Sequence, residues 1–97
     1  MATLHIVRQS AFKTSDYLAC SKVIQINDTL VLCDDGCYNL SHAITRLLLN
    51  EKTQLQIKIM AVHAHARAIN IPSTIDTINM GTLVDLTFQH DKVITWQ

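Results

Sequence analysis

The chain has 97 residues, 48% of them apolar and 16% charged, and its eight Lys and Arg are matched by eight Asp and Glu. A chain of this length builds one domain around one core, and zero net charge without a basic cluster argues against a nucleic-acid-binding face. Weak self-repulsion favours association with other chains, and no apolar run is long enough for a signal peptide or a membrane span, so a cytosolic setting is expected.

Residues 1–97 are read as a single domain, because two glycines and one proline leave no linker or low-complexity stretch. The first β-branched run, Thr3–Val7, predicts a strand. Thr14 and Ser15 offer N-caps for a helix through Ile24, with Tyr17, Cys20, Ser21 and Ile24 on one stripe. Thr29–Cys33 is almost continuously apolar, the pattern of a strand buried on both faces. Asp34-Asp35-Gly36 ends it, and Leu40, Ala43, Ile44, Leu47 and Leu48 recur at helical spacing up to an end near Asn50. Leu55–Val62 alternates as a third strand, and a short helix over Ala64–Asn70 leads to the turn at Pro72 and Ser73. Ile75–Ile78 reads as a fourth strand, Met80, Leu83, Val84, Thr87 and Phe88 stripe a last helix, and Lys92–Trp96 closes the chain as a fifth strand. Strand–helix alternation of this kind predicts an α/β fold: a mostly parallel five-stranded sheet with helices on both faces. Sites in such sheets lie at the carboxyl ends of the strands, here Arg8–Ser10, Asp34–Tyr38 and His63–Arg67.

Motif by motif, the chemistry is sparse. Gly36 and Gly81 are too few to write a P-loop or a dinucleotide-binding turn. Cys33 and Cys37, with His42 nearby, have the spacing of half a zinc site, but the second ligand pair is missing, and Cys33 reads as a core thiol. Cys37 sits before a helix that would favour a thiolate, while Asp34 and Asp35 oppose it, so packing is its expected role. Cys20 lies on the buried stripe of the first helix with no activating base in sight. His63 and His65 face apart if helical and together if extended. The segment His63–Arg67, with its two histidines, is also within conceivable reach of Cys37 for a Cys–His pair, with a solvated loop as the plainer alternative. Three cysteines in a cytosolic chain are expected to be reduced.

Taken in order, the motifs resemble the TusB/DsrH family. Leu4-His5 through Ser10 match its L-H-x-x-x-x-S opening, and Asp35-Gly36 match the D-G after its second strand. Ala66-Arg67 match an A-R-G, with Ala68 in place of the glycine. Leu83-Val84-Asp85-Leu86-Thr87, His90 and Trp96 match its F-V-x-L-T…H…W ending. The departures are His63, where an Asp often stands four residues before the Arg, Ile78-Asn79-Met80 without the usual aromatic, and Leu83 for the Phe. The resemblance implies a three-layer α/β/α subunit of a heterohexamer, assembled with homologous TusC/DsrF-like and TusD/DsrE-like chains. A TusE/DsrC-type protein is the implied sulfur acceptor downstream. It implies no cofactor. The relayed persulfide is implied to reside chiefly on the TusD/DsrE-like chain. DsrH-like members carry a cysteine in the first helix, which Cys20 matches, and the resemblance makes Cys20 the candidate sulfur-handling thiol. The expected role is 2-thiolation of the tRNA wobble uridine. Cytoplasmic sulfur oxidation, an active sulfurtransferase centred on Cys20, and a standalone interaction module with inert thiols are the alternatives.

Overall fold

A computed structural model of the chain describes residues 2–52 and 54–96. Its elements in order are β1 (Thr3–Val7), α1 (Asp16–Val23), β2 (Thr29–Leu32), a 3-10 helix (Asp34–Ser41), α2 (Ala43–Glu51), β3 (Gln56–Met60), α3 (Ala61–Ala66), β4 (Asp76–Ile78), α4 (Met80–Gln89) and β5 (Lys92–Trp96). The strands form one sheet in the order β4-β3-β2-β1-β5. Every pairing is parallel. The chain steps outward from β1 to β4 and then returns across the sheet to β5. Right-handed crossovers therefore put α1, α2 and α3 on one face and α4 on the other.

Side-chain alternation along the strands separates two cores accordingly. On the α1–α3 face Val7, Leu30, Leu32, Ile57 and Ile59 meet Tyr17, Cys20, Ile24, Leu48 and Ala64. On the α4 face the cluster is smaller: Leu4, Val31, Cys33, Met60 and Ile78 with Leu86. All four residues of β2 are buried, as a central parallel strand requires.

Three boundaries differ from the sequence reading by more than one residue. The segment after β2 is not a turn into α2 but a 3-10 helix, so Leu40 precedes α2 and belongs to another element. Its tight coil is possible because Gly36 has no side chain: a Cβ there would collide with the Val7 carbonyl. Gly36 N–H instead donates to the carbonyls of Arg8 and Cys33. The third strand stops at Met60, and Ala61 and Val62 open α3. Finally, α3 ends at Ala66, four residues before the predicted end, with Ala68 in the left-handed region at φ 53°. Ala68 N–H donates to the His65 carbonyl and Ile69 N–H to the Ala64 carbonyl, which is a Schellman cap.

The two chain ends are joined by a buried polar chain. Trp96 Nε1–H donates to His5 Nδ1 at 3.1 Å, and His5 Nε2 lies 3.0 Å from Asp28 Oδ2. Because Nδ1 accepts, the ring proton is on Nε2 and is given to Asp28. Asp28 also accepts from the backbone N–H groups of Thr3 and Gln25. Burial pushes the Asp28 carboxyl up, but the Gln25 and Thr3 N–H groups and the His5 ring outweigh it and hold it below its ordinary range. His90 adds a second tie, from the end of α4 to Thr29 Oγ1 at 2.9 Å.

Candidate functional site: the carboxyl rim

The ends of β1, β2 and β3 meet at one rim. Asp34, the first residue beyond Cys33, sits at φ 49°. Its N–H donates to His63 Nδ1 at 2.9 Å, so that nitrogen carries a lone pair. Arg8 Nε donates to Asp34 Oδ2 at 2.7 Å, and the other carboxylate oxygen lies 3.6 Å from His63 Nδ1. The hydrogen bond from Arg8 is the main reason the Asp34 carboxyl is held below its ordinary range. One residue on, Asp35 accepts from Arg67 Nε at 3.1 Å, and Arg67 Nη1 donates to the His63 carbonyl. The result is a half-exposed lattice of two cations, two anions and an imidazole laid over buried Cys33.

The thiols sit deeper. Cys20, Cys33 and Cys37 are all free and buried. Cys20 has no exposed surface; burial first, then the charge of Asp28, pushes its thiol up to about 12. Cys37 is likewise pushed up to about 12, chiefly by burial, and its Sγ–H is directed to the Leu32 carbonyl at 3.6 Å. The helix-terminus effect expected to offset Asp34 and Asp35 at Cys37 is outweighed by desolvation. Cys33 is pushed up to about 11, again by burial before Asp34. In this conformation none of the three is a ready thiolate.

Placement of the predicted residues is mixed. Arg8, Asp34, Asp35, His63 and Arg67 come together at the rim, as strand order implies. His63 is half-buried and turned to Asp34, whereas His65 is exposed, so the two histidines of α3 do face apart. His63 is brought to Cys33 and Asp34, and the conceived pairing of His63 with Cys37 is not what the backbone builds. His42, weighed as a metal ligand, instead caps α2, its Nδ1 accepting from Ile44 N–H at 3.1 Å. Cys20 is remote from the rim chemistry, packed with Tyr17 and Ile24. Sequence reasoning missed the Arg8–Asp34 pair and the Arg67–Asp35 pair. Asp35 and Arg67 were already motif residues, and their opposite charges were the available signal.

The resembling motifs thus prove to be one another's partners. His5 pairs with Trp96, Asp35 with Arg67, Gly36 with the end of β1, and His90 with the start of β2. They are the joints of the fold.

Comparison with known proteins supports the same grouping. The chain is similar in structure to the YchN protein of E. coli, with a TM-score of 0.80, 17% identity, and 99% of this chain and 100% of that one covered. It is also similar to protein Tm0979 of Thermotoga maritima, with a TM-score of 0.64, 18% identity, and 92% and 93% covered. At such identities the likeness shows the fold: a compact α/β unit on an all-parallel five-stranded sheet. No curated protein sequence matches the chain. The family described as DsrH like protein, however, matches residues 9–93. By that match over most of its length, the chain belongs to the DsrH-like family.

Proposed function

We propose that this chain is an assembly subunit of a cytoplasmic sulfur-relay complex serving 2-thiolation of the tRNA wobble uridine. Membership of the DsrH-like family supports the sulfur-relay part of this reading. The observation that carries the subunit role is the state of Cys20, whose thiol has no exposed surface and is pushed up to about 12. Persulfide transfer needs a reachable thiolate, so the travelling sulfur belongs on a TusD/DsrE-like sister chain. What this chain offers instead is surface. Met80, Val84 and Phe88 recur every fourth residue along α4 and are 57%, 48% and 84% exposed. That stripe is the docking face for a TusC/DsrF-like or TusD/DsrE-like chain. No helix among the described residues is long and apolar enough to cross a membrane.

A second reading is favoured by the position of Cys20 in the first helix: a DsrH-type subunit of cytoplasmic sulfur oxidation, in which α1 moves to release the thiol. Native mass spectrometry separates the two. The chain is co-expressed with its neighbouring genes and supplied with sulfur by a cysteine desulfurase. A hetero-oligomer with one added sulfur on a sister chain only is the expected result. Added sulfur on Cys20 would replace the first reading by the second. A lone chain with no adduct would overturn both.

A further inference from the structure

The rim holds a combination of donors that neither relay reading uses. The sulfur of Cys33, a carboxylate oxygen of Asp34 and a ring nitrogen of His63 all lie within 4.8 Å of one another. We propose that Cys33, Asp34 and His63 form a binding site for a zinc-class divalent cation, with a fourth coordination position open to solvent.

The donor set is the first argument. Thiolate, carboxylate and neutral imidazole are the three side-chain ligands that zinc takes, and three protein ligands with an open fourth position mark a site that binds something further. Spacing is the second. A tetrahedral ion about 2.0–2.3 Å from its ligands holds them roughly 3.5 Å apart, and Asp34 Oδ1 lies 3.6 Å from His63 Nδ1. The backbone provides the third. At φ 49° Asp34 turns back over the end of β2, and its N–H donates to His63 Nδ1, which shows that this nitrogen carries a lone pair and faces Asp34. Binding through Nδ1 breaks that hydrogen bond, a cost the metal bond must exceed. Arg8 holds the other oxygen, Oδ2, and so orients the carboxylate as an outer partner does in built metal sites.

The ligands themselves carry two negative charges, one thiolate and one carboxylate, against the dication, and His63 contributes none. Because Arg8 and Arg67 already offset Asp34 and Asp35, the loaded rim would hold one positive charge in excess, which an anionic fourth ligand would neutralise. The Cys33 thiol is protonated without metal, so the S–H bond breaks as the S–metal bond forms. One proton leaves per ion, and affinity therefore rises with pH until the thiol would titrate by itself.

The test uses cobalt(II) as the probe on the full chain, stripped of metal by a chelator. The expected result is one equivalent bound, with a near-ultraviolet thiolate-to-cobalt charge-transfer band and tighter binding at higher pH. Cys33→Ser should lose the band. Should Cys33→Ser fail to fold, Asp34→Asn and His63→Ala decide, since both residues are partly exposed and asparagine tolerates positive φ. Each should weaken binding at least about tenfold, while His65→Ala on the exposed side of α3 leaves it unchanged. The absence of a charge-transfer band in the parent chain would overturn the site. So would binding that survives both Asp34→Asn and His63→Ala, or that His65→Ala weakens equally.

Discussion

The two faces of the sheet are built to different standards. On the α1–α3 face the packing is closed: Tyr17, Cys20, Leu30, Leu32 and Ile59 have no exposed surface. Polar groups there are also matched, as where Tyr17 OH and Thr45 Oγ1 meet at 2.6 Å and Thr45 in turn donates to the Asn39 carbonyl. The α4 face has one helix to cover five strands. Leu86 is the buried residue of that helix, while Met80, Val84 and Phe88 point away, and Val93 on β5 is 43% exposed. One face closes over its core; the other leaves apolar side chains exposed. This division follows from topology, because three of the four crossovers lie on the same side.

The sharpest test compares equal truncations on the two faces. Ile59→Ala removes a fully buried side chain from the closed face and should cost about 2–5 kcal/mol, a large share of the stability of a domain this small. Leu86→Ala on the other face, where the site is already open at its edge, should fall at the low end of that range, about 2 kcal/mol. Urea unfolding of both variants checks the pair. A Leu86→Ala cost equal to that of Ile59→Ala would erase the distinction.

Alkaline titration gives the next effect. The thiols of Cys20 and Cys37, on the closed face, are pushed to about 12 and that of Cys33, on the α4 face, to about 11. Below the ordinary thiol value, about 8.5, both folded and unfolded chains keep these protons and stability is flat. Above it the unfolded chain loses them first, so the folded state holds more protons and stability falls as pH rises. Burial also raises the Tyr17 phenol, which steepens the loss at higher pH. Thermal melts should therefore show a decline beginning near pH 9 and continuing past pH 11, shallower in Cys20→Ala. A flat Tm across that window would mean the thiols are wetter than their packing implies.

A smaller gain is expected at Ala68. The left-handed position of the Schellman cap suits glycine, the residue the resembling family places there, and alanine pays a steric cost. Ala68→Gly should stabilise the chain by about 0.5–1 kcal/mol, visible as a higher urea midpoint with unchanged slope. Since Ala64 and Ile69, which this cap joins, belong to the closed core, a loss instead would show that the α3 cap is held by contacts other than its backbone.

What could be read in the sequence divides along similar lines. Strand positions were legible because parallel central strands are short apolar runs, and Thr29–Leu32 carries no competing signal. The α1 stripe was legible from Tyr17, Cys20 and Ile24. The 3-10 helix was not: Asp34-Asp35-Gly36 reads as a turn, and the close approach that requires glycine there is made by the carbonyl of Val7, 29 positions earlier in the chain. Likewise, helical spacing showed α4 to be amphipathic, but not that Met80, Val84 and Phe88 face outward while Leu86 faces in. Spacing fixes which residues share a stripe, and only topology decides whether a second layer lies over it. Site geometry was the least legible part, because Cys33, Asp34 and His63 meet through strand order rather than through any local pattern.

The smallest effect on the isolated chain is also the most informative about its unfinished face. Phe88 is 84% exposed, so Phe88→Ser removes little packing and should change unfolding free energy by less than about 0.5 kcal/mol. If α4 docks a related subunit, that ring is buried on assembly, where a truncated aromatic anchor typically costs about 2 kcal/mol or more of binding. A pull-down from cells co-expressing the sister chains, with Val84→Ser as a second probe on the same stripe, should then show reduced recovery of partners at unchanged Tm. Recovery equal to the parent chain would place the docking face elsewhere and leave β5, with four of its five residues exposed, as the next surface to probe.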